Sequence, residues 1–183
     1  MGKSTAAKIA QSLGAAVVDT DVIAREIVMP GQPALEQVKA RFGADMIDQH
    51  GQLRRHELAR RVFADADARH DLETILHPRI REVWLSTVEQ WRDEGRSLGV
   101  VVIPLLFETG AEKYFDATIC VACSLATQQQ RLTERGWSAA EIEQRRQAQW
   151  PVEKKMLLAN YVIWTEGELP MHTAQWKRIL RLQ

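Results

Sequence analysis

The sequence opens on Met1-Gly2-Lys3-Ser4-Thr5 and runs at once into a helix-forming stretch rich in alanine. Gly-Lys-Ser-Thr is the second half of the phosphate-binding loop G-x-x-x-x-G-K-[ST]. In that loop the glycine lets the backbone approach an oxyanion, the lysine reaches the β- and γ-phosphates, and the next hydroxyl binds Mg²⁺. The following helix points its free N–H groups at the anion. The opening therefore predicts a phosphate site at the start of a helix.

Only the second half of that loop is present. The strand, first glycine and loop residues that normally precede Gly2 are missing, so we expect a chain that lacks its first strand and half of its phosphate-binding loop. Such a strand lies inside a parallel sheet, and its loss would leave Val17-Val18 and residues 100–103 facing a gap or pairing with each other. Losing about five buried apolar side chains, at roughly 1.5–3 kcal/mol each, predicts poor folding and little activity. The short motif alone would also fit an ordinary helix with a solvated N-terminus.

Length and charge restrict the class of protein. A chain of 183 residues can bury one good core with small insertions. Lys plus Arg equals Asp plus Glu, at 24 each, so the formal net charge is zero. Neither nucleic acid nor an anionic membrane is therefore expected as the main partner. With no signal peptide and no long apolar span, the sequence predicts a soluble, cytoplasmic protein.

The two cysteines, Cys120 and Cys123, have C-x-x-C spacing. That spacing is compatible with a redox pair or with half of a zinc site. Both residues lie in the apolar run at 118–123, however, and no second Cys/His pair follows. We therefore predict that they are buried structural residues of a strand.

Two carboxylates accompany the first apolar run. Residues 15–21 predict a short strand with Asp19 and Asp21 at its carboxyl end. Ligands of open α/β sheets gather at the carboxyl ends of strands, where an acid pair suits holding a hydroxyl nucleophile or water around Mg²⁺. Alternatively, one of these polar residues simply caps the helix predicted over Val22–Val28. We expect one acid to cap and the other to act in chemistry.

The block at residues 50–98 differs from the rest of the chain. It is polar, its pattern is helical, and it contains two pairs of adjacent arginines and an interruption at Leu76-His77-Pro78. We predict a helical insertion that serves as a platform for the far end of a substrate. A solvated helical face with scattered arginines is the alternative for most of those arginines.

Three further apolar runs predict strands and complete the pattern. They lie at residues 99–103, where Pro104 ends the strand, at 117–122 and at 160–164, and a last helix is predicted over 171–182. Strands thus alternate with helices along the chain. That alternation is typical of an α/β protein with a parallel sheet.

Residues 125–150 are predicted to form an arginine-bearing helical hairpin. Arg131 and Arg135 share one helix face at i,i+4 spacing, and the second helix carries Arg145 and Arg146. In P-loop kinases a hairpin at this position commonly acts as a lid. Surface charge is the alternative for each arginine, and it is favoured for at least one of Arg145 and Arg146.

Together these stretches resemble dephospho-coenzyme A kinase, a family of P-loop kinases in coenzyme A biosynthesis. The resemblance runs from Gly2 to Gly167. Its most specific parts are Asp-x-Asp-x-Ile-Ala-Arg at residues 19–25 and Pro-Leu-Leu-Phe-Glu at residues 104–108. The other matching stretches are Gly2-Lys3-Ser4-Thr5, Val28 to Gly31, Phe42-Gly43, Gly51-x-Leu53-x-Arg55, Leu76-His77-Pro78, and Arg131 with Arg145 and Gln149.

The resemblance implies transfer of the ATP γ-phosphoryl group to the 3′-hydroxyl of dephospho-coenzyme A, with Mg²⁺ as cofactor. It implies an α/β, P-loop NTPase/kinase-like three-layer fold with a parallel sheet. One kinase domain would span residues 1–183, with 50–98 as a helical substrate-binding insertion and 125–150 as the lid region. ATP and dephospho-coenzyme A are the expected small-molecule partners.

The same resemblance assigns residues to roles. Nucleotide binding falls to Gly2, Lys3, Ser4, Thr5 and Arg145, with Ser4 also holding Mg²⁺. Lys3 and Arg131 would stabilise charge on the moving phosphoryl group, and Asp21 would accept or orient the 3′-hydroxyl. The residues expected near the acceptor are Asp19, as the second choice for the Asp21 role, Arg25, His77, Pro104, Leu105 and Glu108.

Two positions depart from the family pattern, and two other functions stay open. Asn160 stands where the family usually has Asp, and Thr165 where it usually has Asn. A different P-loop kinase, acting on another small alcohol or a nucleotide acceptor, would share Lys3, Ser4 and Asp21. The third possibility is a truncated, inactive P-loop fragment that at most binds coenzyme A-like ligands weakly.

Overall fold

The computed structural model describes residues 2–181. Its contacts divide the chain into two compact units, one made of residues 2–17 and 104–181, the other of residues 18–103. The first unit thus joins the phosphate-loop motif to the C-terminal half of the chain. The predicted end of the last helix, at Leu182, lies outside the described residues.

In the first unit, helix α1 (Lys3–Ser12) follows Gly2 directly. Gly2 has φ of 78°, the left-handed conformation that favours glycine. Ala6, Ile9 and Ala10 form the buried stripe of α1, and the helix packs against α9 (Leu169–Leu180). The first unit therefore fixes the start of α1 by packing its apolar face.

Two parallel strands form the sheet of the first unit. Strand β3 (Ile119–Ala122) pairs in parallel with β4 (Tyr161–Trp164), with Ile119 opposite Tyr161. Three helices connect the strands, as a parallel crossover requires: α6 (Leu125–Thr133), α7 (Ala139–Gln147) and α8 (Val152–Leu158). The predicted parallel pairing is confirmed in this pair.

Asn160 aligns the starts of these two strands. Its Oδ1 accepts hydrogen bonds from the backbone N–H of Thr118 at 2.8 Å and from the Thr118 hydroxyl at 3.0 Å. The Asn160 N–H donates to the same hydroxyl at 3.2 Å. Asn160 therefore helps to fix the register of β3 against β4.

The second unit contains the other strand pair. Strand β1 (Ala16–Asp19), whose last two residues belong to this unit, is hydrogen-bonded to β2 (Gly99–Val102). In the described residues the strands thus form two two-stranded sheets, where the sequence predicted one parallel sheet. Strands β1 and β2 pair directly with each other, which is one of the two arrangements expected for them.

Helices build the rest of the second unit. They are α2 (Thr20–Glu26), α3 (Pro33–Phe42), α4 (Arg55–Ala64) and α5 (Ala66–Asp93). A buried cluster that includes Val38, Phe42 and Leu58 packs against Leu72 and Ile75 of α5. The stretch 55–93 is therefore helical, as its pattern predicted.

The predicted interruption at Leu76-His77-Pro78 is wrong, because Pro78 lies inside the continuous helix α5. Proline removes one helical hydrogen bond and normally kinks or ends a helix. Here α5 packs against α2, α3 and α4, and Arg79 donates from Nη1 to the carbonyl of Ile75 at 2.8 Å. Tertiary packing thus outweighs the local preference of proline.

Cys120 and Cys123 are buried and not joined by a disulfide. Burial raises the pKa of the Cys120 thiol, so this thiol is a poor nucleophile. Among residues 2–181, no three His, Cys, Asp or Glu side chains come together as a metal site would require. None of the helices in the same stretch combines the length and apolar character needed to span a membrane.

Candidate active site

The N-terminus of α1 is open to an anion. Gly2 makes no side-chain cap and the first turn of α1 holds no acidic residue. Ala6 N–H donates to the Gly2 carbonyl at 2.9 Å, so the N–H groups before it have no intrahelical acceptor. Those N–H groups and the partial positive charge of the helix end suit a phosphate group. Lys3, Ser4 and Thr5 all lie in this first turn.

Space beside Gly2 is limited by Thr165. A Cβ built on Gly2 would lie 3.3 Å from Cγ2 of Thr165, and its positive φ would strain any L side chain. Glycine is therefore required both by the backbone conformation and by this close contact. Thr165 itself is 2% exposed.

Arg131 on α6 is held by that same threonine. Its Nη1 donates to the Thr165 hydroxyl at 3.0 Å, and its Nη2 donates to the Thr165 carbonyl at 2.7 Å. The hydroxyl in turn donates to the carbonyl of Ala122 at 3.1 Å. A planar guanidinium fixed through two nitrogens has a defined orientation. The structure thus brings Gly2, Thr165 and Arg131 together, although the last two are 34 positions apart.

Glu166 fixes the start of α6, a contact that the sequence analysis missed. Its Oε1 accepts the backbone N–H of Ser124 at 2.8 Å, and its Oε2 accepts Nε1–H of Trp164 at 3.2 Å. Hydrogen bonds from Ser124 and Thr127 are the main reason that the pKa of Glu166 falls to about 2. Because the partners lie 42 positions apart, no local pattern indicates the contact.

In the predicted lid, Arg145 and Arg146 have different surroundings. The Arg145 guanidinium lies 4.1 Å from the ring centroid of Trp137, a cation–π distance, and burial lowers its pKa. Arg146 forms an exposed ion pair with Glu143 at 2.8 Å. The expectation that one of the two arginines is surface charge is therefore met by Arg146.

The Pro104–Glu108 stretch is anchored inside the first unit. The Glu108 carboxylate pairs with Nζ of Lys155 at 2.6 Å and accepts the backbone N–H of Trp150 at 2.9 Å. The same Nζ donates to the Pro104 carbonyl at 3.1 Å. Lys155 was missed because Lys154-Lys155 looks like ordinary surface charge. The sequence carries no signal that the second of these lysines is buried.

Asp19 and Asp21 lie at the start of α2 in the second unit. Strand β1 ends at Asp19. Oδ1 of Asp19 accepts a hydrogen bond from the backbone N–H of Asp21 at 2.9 Å. The predicted extension of the strand to Asp21 is therefore wrong, because the Asp19 cap starts the helix at Thr20. The expectation that one acid caps is confirmed, and Asp19 is that residue.

Arg25 and His77 also lie in the second unit. The Arg25 carbonyl accepts a hydrogen bond from Nη2 of Arg55 at 2.8 Å. Burial is the main cause that lowers the pKa of His77, while Glu73 raises it and Arg81 lowers it further. His77 is therefore a neutral imidazole at pH 7 that can donate or accept a hydrogen bond.

The residues with predicted roles are divided between the two units. The first unit holds the start of α1, Arg131, Arg145 and the Pro104–Glu108 stretch, and the second unit holds the acids of α2 with Arg25 and His77. Within the first unit the structure joins Gly2 to Thr165 and Arg131. Within the second it joins Asp19 to Asp21.

Comparison with known proteins adds an independent result. A family model described as dephospho-CoA kinase matches residues 1–170. The curated dephospho-CoA kinase of Bdellovibrio bacteriovorus is 40% identical over 162 residues, which cover 88% of this chain and 81% of that protein. The curated dephospho-CoA kinase of Moorella thermoacetica is 40% identical over 186 residues, covering 98% and 88% respectively.

Solved structures agree with these sequence matches. The crystal structure of TT1252 from Thermus thermophilus is similar with a TM-score of 0.81 at 32% identity, covering 98% of this chain and 91% of that one. The dephospho-CoA kinase from Campylobacter jejuni gives a TM-score of 0.70 at 25% identity, covering 98% and 90%. The expectation that the first strand and half of the phosphate-binding loop are missing is not borne out by these comparisons.

Proposed function

The chain belongs to the dephospho-CoA kinase family, and from that premise we propose that it transfers the γ-phosphoryl group of ATP to the 3′-hydroxyl of dephospho-coenzyme A. The product is coenzyme A. The family resemblance inferred from the motifs is confirmed, and so is the α/β, P-loop kinase fold class. The observation that carries the proposal is the family match over residues 1–170.

The start of α1 is the proposed site for the phosphates of ATP. Gly2, Lys3, Ser4 and Thr5 supply backbone N–H groups, a cation and two hydroxyls there. The uncapped helix end supports this assignment, because nothing from its own first turn opposes an anion. Ser4 would hold Mg²⁺, a hard cation that prefers oxygen ligands. When bound, Mg²⁺ offsets negative charge on the transferring phosphate.

Arg131 and Arg145 are the proposed arginines of the transfer step. Arg131 would stabilise charge that develops on the moving phosphoryl group. This role depends on the position of the guanidinium and involves no proton transfer. Its two hydrogen bonds to Thr165 support this role, because they fix the guanidinium in the unit that contains Gly2. Arg145 would bind the nucleotide from the second helix of the lid.

Several residues are proposed to bind the acceptor. Asp21 would orient the 3′-hydroxyl and accept its proton, while Asp19 supports it by capping α2. Arg25 and the neutral His77 would contact the acceptor. The Pro104–Glu108 stretch is also proposed to bind the acceptor.

We also propose the domain organisation that the sequence predicts. Residues 1–183 act as one kinase domain, with 50–98 as its substrate-binding insertion and 125–150 as its lid. The helical character of 55–93 and the arginines of α6 and α7 support these roles. The cytoplasm is the proposed compartment, and ATP and dephospho-coenzyme A are the proposed partners.

A product assay tests the function. The protein is incubated with Mg-ATP and either dephospho-coenzyme A, its 3′-deoxy analogue, a nucleoside monophosphate or a simple alcohol, and products are identified by mass spectrometry. We expect phosphorylation of dephospho-coenzyme A alone. Phosphorylation of the 3′-deoxy analogue would place the reaction at another hydroxyl. Turnover of a different acceptor would indicate another kinase, and no product at all would favour the inactive fragment.

A further inference from the structure

Lys155 of α8 is buried to an extent that is unusual for lysine. The residue is only 8% exposed, and lysine is almost never fully buried unless its charge is paired. Its ammonium group contacts both ends of one short stretch: the carbonyl of Pro104 at 3.1 Å and the carboxylate of Glu108 at 2.6 Å. One side chain thus closes a five-residue loop.

The backbone of that loop is a compact series of turns. Thr109 donates from its N–H to the Leu105 carbonyl at 3.1 Å and from its hydroxyl to the same oxygen at 2.8 Å. Ala111 N–H donates to the Leu106 carbonyl at 3.0 Å. These bonds are all local. Hydrogen bonds and an ion pair that link the loop to α8 and to Trp150 are made by Pro104 and Glu108.

The N–H donors of the Lys155 ammonium group face acceptors of the protein itself. An ammonium has three N–H donors; two short contacts go to Pro104 and Glu108, and Oε1 of Gln149 lies 3.5 Å from the same nitrogen. A lysine that binds phosphate directly needs at least one donor directed at the ligand. The contacts of Lys155 are therefore those of a residue that acts through the loop.

We propose that Lys155 is a positioning residue for the acceptor: it holds the Pro104–Glu108 loop in the conformation that binds dephospho-coenzyme A. The inference rests on the proposed function, which assigns this loop to the acceptor. Removing the ammonium would free the Pro104 carbonyl and leave the Glu108 carboxylate buried without its counter-ion, since Oε2 of Glu108 already has no hydrogen-bond partner among the described residues. The loop would then open to bring the carboxylate to water.

The first test compares Lys155→Met with Lys154→Met. Lys154 is the adjacent, exposed lysine and lies over the ring of Trp150 at 3.2 Å, so its variant removes the same charge without touching the loop. For Lys155→Met we expect the KM for dephospho-coenzyme A to rise about 10- to 100-fold, the scale of a misplaced substrate group, with the KM for ATP unchanged. Lys154→Met should change neither constant.

Hydrogen exchange provides the readout that a general loss of stability would not imitate. In Lys155→Met, peptides covering residues 104–111 should exchange faster, while peptides of α9 keep their protection. An unchanged KM for the acceptor, or faster exchange spread evenly over the chain, would overturn the proposal. If the unmodified protein does not phosphorylate dephospho-coenzyme A, the proposed function fails, while the exchange data still decide whether Lys155 holds the loop.

If Lys155→Met does not fold, a double variant that is uncharged at both positions is tested in its place. Lys155→Met combined with Glu108→Gln leaves no buried unpaired charge, and such replacements often preserve stability. Compared with Glu108→Gln alone, the pair should show a further rise in the acceptor KM and faster exchange at residues 104–111. Equal behaviour of the pair and the single variant would show that Lys155 only neutralises Glu108.

Discussion

Helices α1 and α2 begin in opposite ways. The N-terminus of α1 follows a left-handed glycine, carries no side-chain cap and has no acid in its first turn. The N-terminus of α2 is capped by Asp19 and carries Asp21 in its first turn. The start of α1 therefore offers backbone N–H groups to an anion. At the start of α2, the Asp19 carboxylate already caps the helix, and Asp21 adds a second carboxylate.

This difference separates two kinds of chemistry. Phosphate is attracted to an open helix start, whereas a carboxylate at a capped start can orient a hydroxyl and accept its proton. The proposed kinase needs both: a phosphate site for the donor and a base for the acceptor. The start of α6 belongs to the capped kind, because Ser124 and Glu166 occupy it. Helices α3, α4, α8 and α9 also begin without a side-chain cap. Among the described α-helices, what distinguishes the start of α1 is the left-handed glycine at its N-cap.

The largest expected effect comes from removing the base at the capped start. Asp21→Asn should lower kcat about 10²–10⁴-fold, the usual loss for a positioned general base, with little change in ATP binding. Steady-state kinetics with both substrates measure this. Asp19→Asn is the matched control, because asparagine caps a helix as well as aspartate does. A larger loss of kcat in Asp19→Asn would reverse the two roles.

The second prediction concerns the arginine held beside the open start. Arg131→Lys keeps the charge but cannot reproduce two hydrogen bonds to Thr165 from one planar group. We expect kcat to fall about 10²-fold, as when one fixed donor of a transition-state site is lost. Arg135→Lys changes an exposed arginine four positions on and should have normal kinetics. Unchanged turnover in Arg131→Lys would mean that another arginine of the lid acts in the transfer.

A third prediction converts the open start of α1 into a capped one. Gly2→Asp places a carboxylate where the phosphate is proposed to bind, and Gly2→Asn has nearly the same shape, the same strain at φ of 78° and no charge. The charge alone should weaken ATP binding by about 1–2 kcal/mol, so the KM for ATP should be about 5- to 30-fold higher in Gly2→Asp than in Gly2→Asn. Equal KM values in the two variants would show that no anion binds at this helix start.

The contrast between the two helix starts could be predicted from the sequence because it is local. Gly-Lys-Ser-Thr indicates an anion-binding helix start, and Asp-Thr-Asp after an apolar run indicates a cap. The α/β alternation and the burial of the cysteines likewise follow from short patterns. The predicted boundary between β1 and α2 was two residues too late, because Thr20 and Asp21 are compatible both with the end of a strand and with the start of a capped helix.

Contacts between distant parts of the chain could not be predicted in this way. Thr165 and Arg131, Glu166 and Ser124, and Lys155 and Glu108 meet only after folding. Each has a common surface residue as one partner, so composition and periodicity give no signal. Pro78 shows that distant contacts can also overrule a local signal. Its local preference predicted a break in the helix, but the packing of α5 against three other helices keeps the helix continuous.

The smallest expected effect tests the third helix start through pH. The pKa of Glu166 is about 2 in the folded protein, below its ordinary value of 4.5, because hydrogen bonds from Ser124 and Thr127 favour the carboxylate. Between these two values the unfolded chain binds more protons than the folded one. The stabilisation by Glu166 is therefore complete above about pH 4.5 and is lost as the pH falls towards 2. The melting temperatures of the unmodified protein and of Glu166→Gln should differ by a constant amount near neutral pH, and this difference should close below pH 4.5.

The control is Glu168→Gln, which removes an exposed carboxylate that caps no helix and should follow the curve of the unmodified protein. A Tm gap that stays constant down to pH 2, or that widens, would show that Glu166 does not hold the start of α6 as an ionised carboxylate.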